Sequence, residues 1–203
     1  MFVAQLWRYP VKSMAGEPLE EADVRLDGFR GDRVVHARDA RGVVTSRSRP
    51  ALLSHKATLG PDGEPLIDGR PWTSFDLPGL RLVRDDTPER FDILPLLVAS
   101  DGAIAAFGHD GRRLRPNLVI GGVDGLSERG WEGKRLRIGE VVIRLADLRE
   151  RCVMTTFDPD TQKQDVDVLR KIRRDFGGRL ALNASVEAEG VIRLADSVEL
   201  AGS

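Results

Sequence analysis

The chain contains one cysteine, Cys152, and the residue before it is an arginine. The string RCVMTTFDPDT (151–161) sets this thiol at a strand-like run, ahead of a loop rich in Asp and Pro. A free cysteine is most often a small buried hydrophobe. Next to a cation and free backbone N–H groups it becomes a thiolate, the form that attacks electrophiles and binds soft metals. On the residues alone both readings stand. The three histidines, His36, His55 and His109, are scattered and have no zinc-site spacing with one another or with Cys152, so they read as surface or core histidines. G-x-S-x-G, Walker A and G-x-G-x-x-G motifs are absent, which removes the sequence signal of several common enzyme classes.

The other residues with chemical potential are cations at turns. YPVKS (9–13) carries Lys12 and Ser13, GDR (31–33) carries Arg33, and TSRSRP (45–50) carries Arg47 and Arg49. GRRLRPN (111–117) ends in Arg115 and Asn117, and Arg151 precedes the thiol. A single charged run is usually a solvated face. Here each segment lies at a strand end beside a turn, where several can meet at one mouth of a barrel. Arginine forks and a lysine hold phosphate oxygens, and Ser and Asn complete the hydrogen bonds. The pattern predicts an anion site for a phosphorylated ligand. A soft thiolate beside it suits a metal that arrives on an organic phosphate.

Short strands must position these groups. FVAQLWRY, ADVRL, DRVVHA, GVVT, LLSHKATL, EPLID, WTSFDL and LRLV alternate with Gly, Pro and Asp turn signals, as in a barrel or sandwich. RDDTPERFDILP (84–95) reads as a linker or long loop. SDGAIAAFG (100–108) reads as a short helix with Ser100 at its N-cap, and NLVIGG and EVVIRLADL as buried strands. KQDVDVLRKIRRDFGG is the clearest helix, with Val166, Leu169, Ile172 or Arg173, and Phe176 at helical spacing and Gly177 suited to the position after its end. VEAEGVIRLADSVEL reads as two closing strands. With 203 residues, 41% hydrophobic and 31% charged, the chain is an ordinary globular protein of one large or two small domains. A net charge of −1 argues against nucleic acid and polybasic membrane binding. A lone cysteine favours a cytoplasmic setting, the N-terminus reads as a strand rather than a signal peptide, and no apolar run is long enough to span a bilayer.

YPVKSMAG, GDRVVHA, VVTSRSRPAL, RPNLVIGG and RCVMTTFDPDT, in that order, resemble the MOSC family, named for the C-terminal domain of molybdenum-cofactor sulfurase. The first three strings resemble its N-terminal β-barrel domain and the last two its core domain. The resemblance implies a mainly β (α+β) fold: an N-terminal β-barrel-like domain over 1–90 and a MOSC β-barrel core over 91–203, with a few short helices. It implies a molybdenum–molybdopterin cofactor, with Cys152 as the metal ligand and Lys12, Ser13, Arg33, Arg47, Ser100, Arg115, Asn117 and Arg151 as cofactor contacts. Pyridoxal phosphate binding is a further property associated with the family as a whole. It also implies reduction of N-hydroxylated or N-oxide compounds. Asp158 is a candidate proton donor, and Thr155 and Thr156 are candidate supports behind the cysteine. Without a cysteine-rich iron–sulfur segment, electrons would come from a separate ferredoxin or flavoprotein. Two further expectations stay open beside this one: a sulfur carrier using a Cys152 persulfide, and a cofactor-binding protein without turnover. The chain departs from the family in a short segment ahead of Ser100 and in Gln162, where glycine is usual.

Overall fold

A computed structural model describes residues 1–85, 87 and 90–202. The strands are β1 (Phe2–Arg8), β2 (Glu17–Leu19), β3 (Glu21–Arg25), β4 (Gly28–Phe29), β5 (Val35–Asp39), β6 (Gly42–Val44), β7 (Ala57–Leu59), β8 (Pro65–Ile67), β9 (Arg70–Pro71), β10 (Arg81–Arg84), β11 (Leu96–Ser100), β12 (Leu118–Gly121), β13 (Arg135–Ile138), β14 (Val141–Glu150), β15 (Arg179–Ala188), β16 (Gly190–Arg193) and β17 (Glu199–Ala201). The helices are α1 (Asp101–Phe107) and α2 (Val166–Phe176).

Eight strands form one sheet in the order β17-β13-β14-β15-β11-β12-β1-β2, antiparallel except for the β11–β12 pair. The residues leading into β17 bond back to β1. Val3 N–H donates to Asp196 O at 2.9 Å, and Val198 N–H donates to Met1 O at 3.0 Å. This closure makes a barrel and removes its open edges. Alternation along β14 turns Val141, Ile143 and Leu145 inward, where they pack with Val3, Leu6, Val98, Ile120 and Leu182.

Two three-stranded sheets, β10-β5-β6 and β7-β8-β9, enclose a second core of Val11, Met14, Val35, Leu52, Ala57 and Ile67. Strand pairing crosses the division expected at residue 90. β1 and β2 belong to the large sheet, and β3 and β4 pair with β16 near the C-terminus. The mainly β architecture with two helices is as expected, but several local readings change. LLSHKATL begins as a 3-10 turn (Pro50–Ser54) and becomes strand only at Ala57–Leu59. WTSFDL holds a 3-10 turn over Trp72–Ser74 and no strand. β11, β13 and the first half of β15 were not anticipated. β11 is buried throughout, so it has no alternation to read. The linker expected over 84–95 includes Asp86, Pro88 and Glu89, which lie outside the described residues.

Both helices end as expected. Ser100 Oγ accepts from Ala103 N–H at 3.1 Å, and Gly177 closes α2 with φ +63°. The buried face of α2 is Val168, Ile172 and Phe176, while Val166 is exposed and Leu169 only half-buried. The expected face was therefore rotated, because α2 packs with α1 and Leu180 along its i, i+4, i+8 row. It also packs on the 3-10 turn Val153–Thr156, so the helix braces the segment that follows Cys152.

Candidate functional site

At the end of β14 the chain leaves the barrel and turns through Cys152. Arg151 N–H donates to Gly178 O at 2.9 Å, which anchors the step before the cysteine. Behind it, Thr155 Oγ1 donates to Cys152 O at 2.9 Å and Thr156 Oγ1 donates to Val153 O at 2.6 Å. Both threonines are buried. They hold the turn shut and leave Cys152, itself half-buried, on the wall of an open cavity.

Seven cationic side chains line this cavity, Lys12, Arg33, Arg47, Arg113, Arg115, Arg149 and Arg151, against two acidic ones, Asp92 and Glu150. They come from segments far apart in sequence, as the turn-end pattern predicted. Asp32, fully buried, accepts from Tyr9 N–H at 2.7 Å and pairs with Arg33. Asn117 Nδ2 donates to Asp32 Oδ2 and to Trp7 O, each at 3.2 Å, and Asn117 Oδ1 accepts from Arg33 Nη1 at 3.2 Å. Asn117 therefore spends its hydrogen bonds on fixing β1 and Arg33.

Arg115 and Arg151 are held differently. The Arg115 guanidinium lies over the Tyr9 ring at 4.2 Å and makes no hydrogen bond or ion pair among the described residues. Burial, reinforced by nearby Arg33, pushes its pKa down to about 10. Arg151 is also pushed down to about 10 by burial. One of its nitrogens donates to Leu114 O at 2.6 Å, but its buried Nε has no partner. Both remain charged at neutral pH. Tyr9 is raised to about 12, chiefly by burial, and stays a neutral donor to Pro116 O.

The backbone is strained at the same place. Ser13, Arg33 and Arg115 have φ of +70°, +57° and +56°, a left-handed region that costs a non-glycine residue of order 1 kcal/mol. All three line the cavity. Gln162 also has a positive φ, +59°, which accounts for glycine being usual there. Its Nε2 donates to Pro159 O at 3.0 Å.

Of the residues expected at the site, Lys12, Ser13, Arg33, Arg47, Arg115, Asn117, Arg151 and Cys152 line one cavity, and Ser100 and Asp158 do not. Ser100 is fully buried and its hydroxyl caps α1, away from the cavity lining. Asp158 lines a neighbouring pocket. Its carboxylate accepts from Thr161 N–H and Oγ1 and pairs with Arg113, and these bonds lower its pKa. A lowered pKa favours the carboxylate form, which accepts hydrogen bonds rather than donating a proton. Arg49 is exposed and outside the cavity.

The lining residues that were missed include Asp92, Arg149, Met154 and Asn183. Arg149 had a readable signal. It stands two residues before Arg151 at the end of a strand, and period two places both on one face. Asp92 bridges Lys12 Nζ at 2.7 Å and Arg149 Nη2 at 3.3 Å, so a carboxylate of the chain sits where an external anion would find its cations.

Among the described residues no three His, Cys, Asp or Glu side chains cluster to hold a metal. Cys152 is the one thiol on the wall among the described residues, and the thioether of Met154 is a weak donor, so a metal bound here must bring most of its ligands with it. The excess of cations and the orphaned Arg151 Nε fit a large anionic group carrying such a metal.

The MOSC domain model matches residues 103–199, and the MOSC N-terminal beta barrel domain model matches residues 1–80. The chain is 27% identical to mitochondrial amidoxime-reducing component 1 of Homo sapiens, over 98% of this chain and 83% of that one. It is 24% identical to mitochondrial amidoxime reducing component 2 of Homo sapiens, over 97% and 82% respectively. The first alignment runs over 283 positions against a chain of 203 residues, so the relative carries inserted segments absent here. The crystal structure of the YUAD protein from Bacillus subtilis superposes with a TM-score of 0.53 at 13% identity, covering 100% of this chain and 96% of that one. That likeness speaks for the fold alone.

Proposed function

Because the chain belongs to the MOSC domain family, we propose that its cationic cavity holds a molybdenum–molybdopterin cofactor through Cys152, and that the protein is an oxidoreductase acting on N-hydroxylated compounds. The observation that carries this reading is the cavity itself: a half-buried thiol on a cation-rich wall where the guanidiniums of Arg115 and Arg151 make no ion pair among the described residues. The likeness to amidoxime-reducing components over nearly the whole chain supports the same class of reaction.

When bound through Cys152, the cofactor would supply a two-electron metal centre for reducing an N–OH group; overall, R–NH–OH with two electrons and two protons would give R–NH2 and water, the electrons coming from a separate ferredoxin or flavoprotein. The chain's own residues bind and orient. Arg115 and Arg151 keep their charge in a cavity where they are poorly compensated, which strengthens their attraction for a phosphate. Arg33 is held in register by Asp32 and Asn117. Lys12 and Arg149 must exchange Asp92 for the incoming anion. Thr155 and Thr156 keep the Cys152 backbone fixed, so the thiol is presented without further ordering cost.

The test is the molybdenum and pterin content of protein purified from a host that makes the cofactor, beside Cys152→Ser. Near-stoichiometric molybdenum in the wild type, lost in the variant, is the expected result. No metal and no pterin in either would overturn the reading and turn attention to a persulfide on Cys152.

A further inference from the structure

Next to the cationic cavity lies a second, open pocket with a different character. Trp7, Leu53, Met154 and Phe157 line it, and all four are half-buried. They come from β1, from the 3-10 turn Pro50–Ser54 and from the loop after Cys152. Large, half-buried apolar side chains that line one concavity are what a ligand's apolar body covers. Gly16, also on its wall, packs closely on the chain: a Cβ at that position would fall 2.5 Å from Tyr9 Cδ1 and 2.3 Å from Arg8 O.

The charges of this pocket are nearly balanced. Arg112 pairs with Asp110 and Asp160, and Arg113 with Asp158. Arg115, over the Tyr9 ring, has no carboxylate in contact among the described residues and leaves one uncompensated positive charge. A cationic ligand is therefore disfavoured. A flat, electron-rich one gains from both the rings and the guanidinium.

The two pockets share Arg113, Arg115 and Met154 as walls, and Met154 is two residues past Cys152. We propose that the second pocket seats the planar aromatic body of a neutral or anionic substrate, and that Met154, standing between this seat and Cys152, sets which bodies are accepted. The position of the reacting group rests on the function proposed above. The ligand class of the pocket does not.

The test measures binding to the purified protein by calorimetry and saturation-transfer NMR, with benzamidoxime against acetamidoxime. Benzamidoxime is expected to bind ~10-fold more tightly, the worth of one aromatic contact. Trp7→Ala and Phe157→Ala should each remove most of that preference, and Met154→Ala should shift it toward a naphthyl amidoxime. Trp7→Phe, which keeps a ring, should retain it should Trp7→Ala fail to fold. Equal affinity for the two amidoximes, or a preference that survives both ring deletions in folded variants, overturns the proposal. Reduction by the molybdenum-loaded protein with a chemical electron donor is read separately. Aromatic preference without reduction sinks the function and leaves the pocket, whereas reduction without preference sinks the pocket and leaves the function.

Discussion

Replacing Arg115 by methionine isolates the cost of keeping a bare guanidinium in the cavity. Burial holds the Arg115 pKa at about 10 against an ordinary 12.5. At ~1.4 kcal/mol per unit, the charged form carries a penalty of ~3 kcal/mol. Because this is a base whose folded pKa is lowered, the unfolded chain holds the proton more tightly. The full penalty applies below about pH 10 and is relieved only as pH rises toward 12.5. The cavity admits water, and screening reduces the figure to ~2 kcal/mol. Against it stands the contact with Tyr9 at 4.2 Å, worth ~1 kcal/mol. Methionine keeps most of the stem. It meets the same left-handed backbone as arginine, so that strain cancels. The ligand-free variant should thus be ~1 kcal/mol more stable than the wild type, a rise in Tm of ~2–4 °C. Thermal unfolding by circular dichroism, with and without pyrophosphate, reads both halves of the balance. Pyrophosphate should raise the Tm of the wild type and do much less for the variant. A variant destabilised by ~1 kcal/mol or more, with an undiminished response to pyrophosphate, would refute the picture of an anion receptor kept charged at a cost.

Asp92→Asn removes the internal carboxylate from Lys12 and Arg149. Pyrophosphate should then bind the ligand-free protein ~10-fold more tightly by calorimetry, and unchanged or weaker binding would show that Asp92 does not occupy the ligand's place. His36 is fully buried, and its pKa is lowered mainly by burial, with Arg38 and Lys12 adding to the shift and Asp85 opposing it. Its folded pKa lies below the unfolded 6.5, so its contribution to stability is complete above that pH and is lost as pH falls below it. His36→Gln should flatten the decline in urea midpoint between neutral pH and about pH 5, and an unchanged slope would assign the decline to other groups. Ile172→Ala should cost ~2–4 kcal/mol, since the side chain is fully buried in the α1–α2 cluster. Because α2 braces the turn after Cys152, the same variant should expose the thiol to faster labelling by a disulfide reagent, and an unchanged labelling rate would separate the helix from the site.

The sequence by itself determined the chemistry present and much of the local structure. The lone thiol beside Arg151, the cations at strand ends, the Ser100 cap and the Gly177 stop follow from neighbours within a few positions, and local sterics and hydrogen bonds decide such features. Gln162 was visible as a departure, and its left-handed φ supplies the reason. Only the tertiary structure decided what those residues do together. Barrel closure by residues 195–198 on β1 brings YPVKS beside RPN and the cysteine. Once the chain is packed, Asp158 is spent on Arg113 and Asn117 on holding Arg33. Each of these residue types has several uses, and which one it serves depends on partners up to a hundred positions away. The same holds for Asp92 and for the aromatic pocket. No periodicity announces a carboxylate that bridges two distant cations, or four half-buried apolar side chains that meet from three segments. The rotated face of α2 shows the limit within one element: both rows satisfy helical spacing, and the neighbouring α1 and Leu180 select between them.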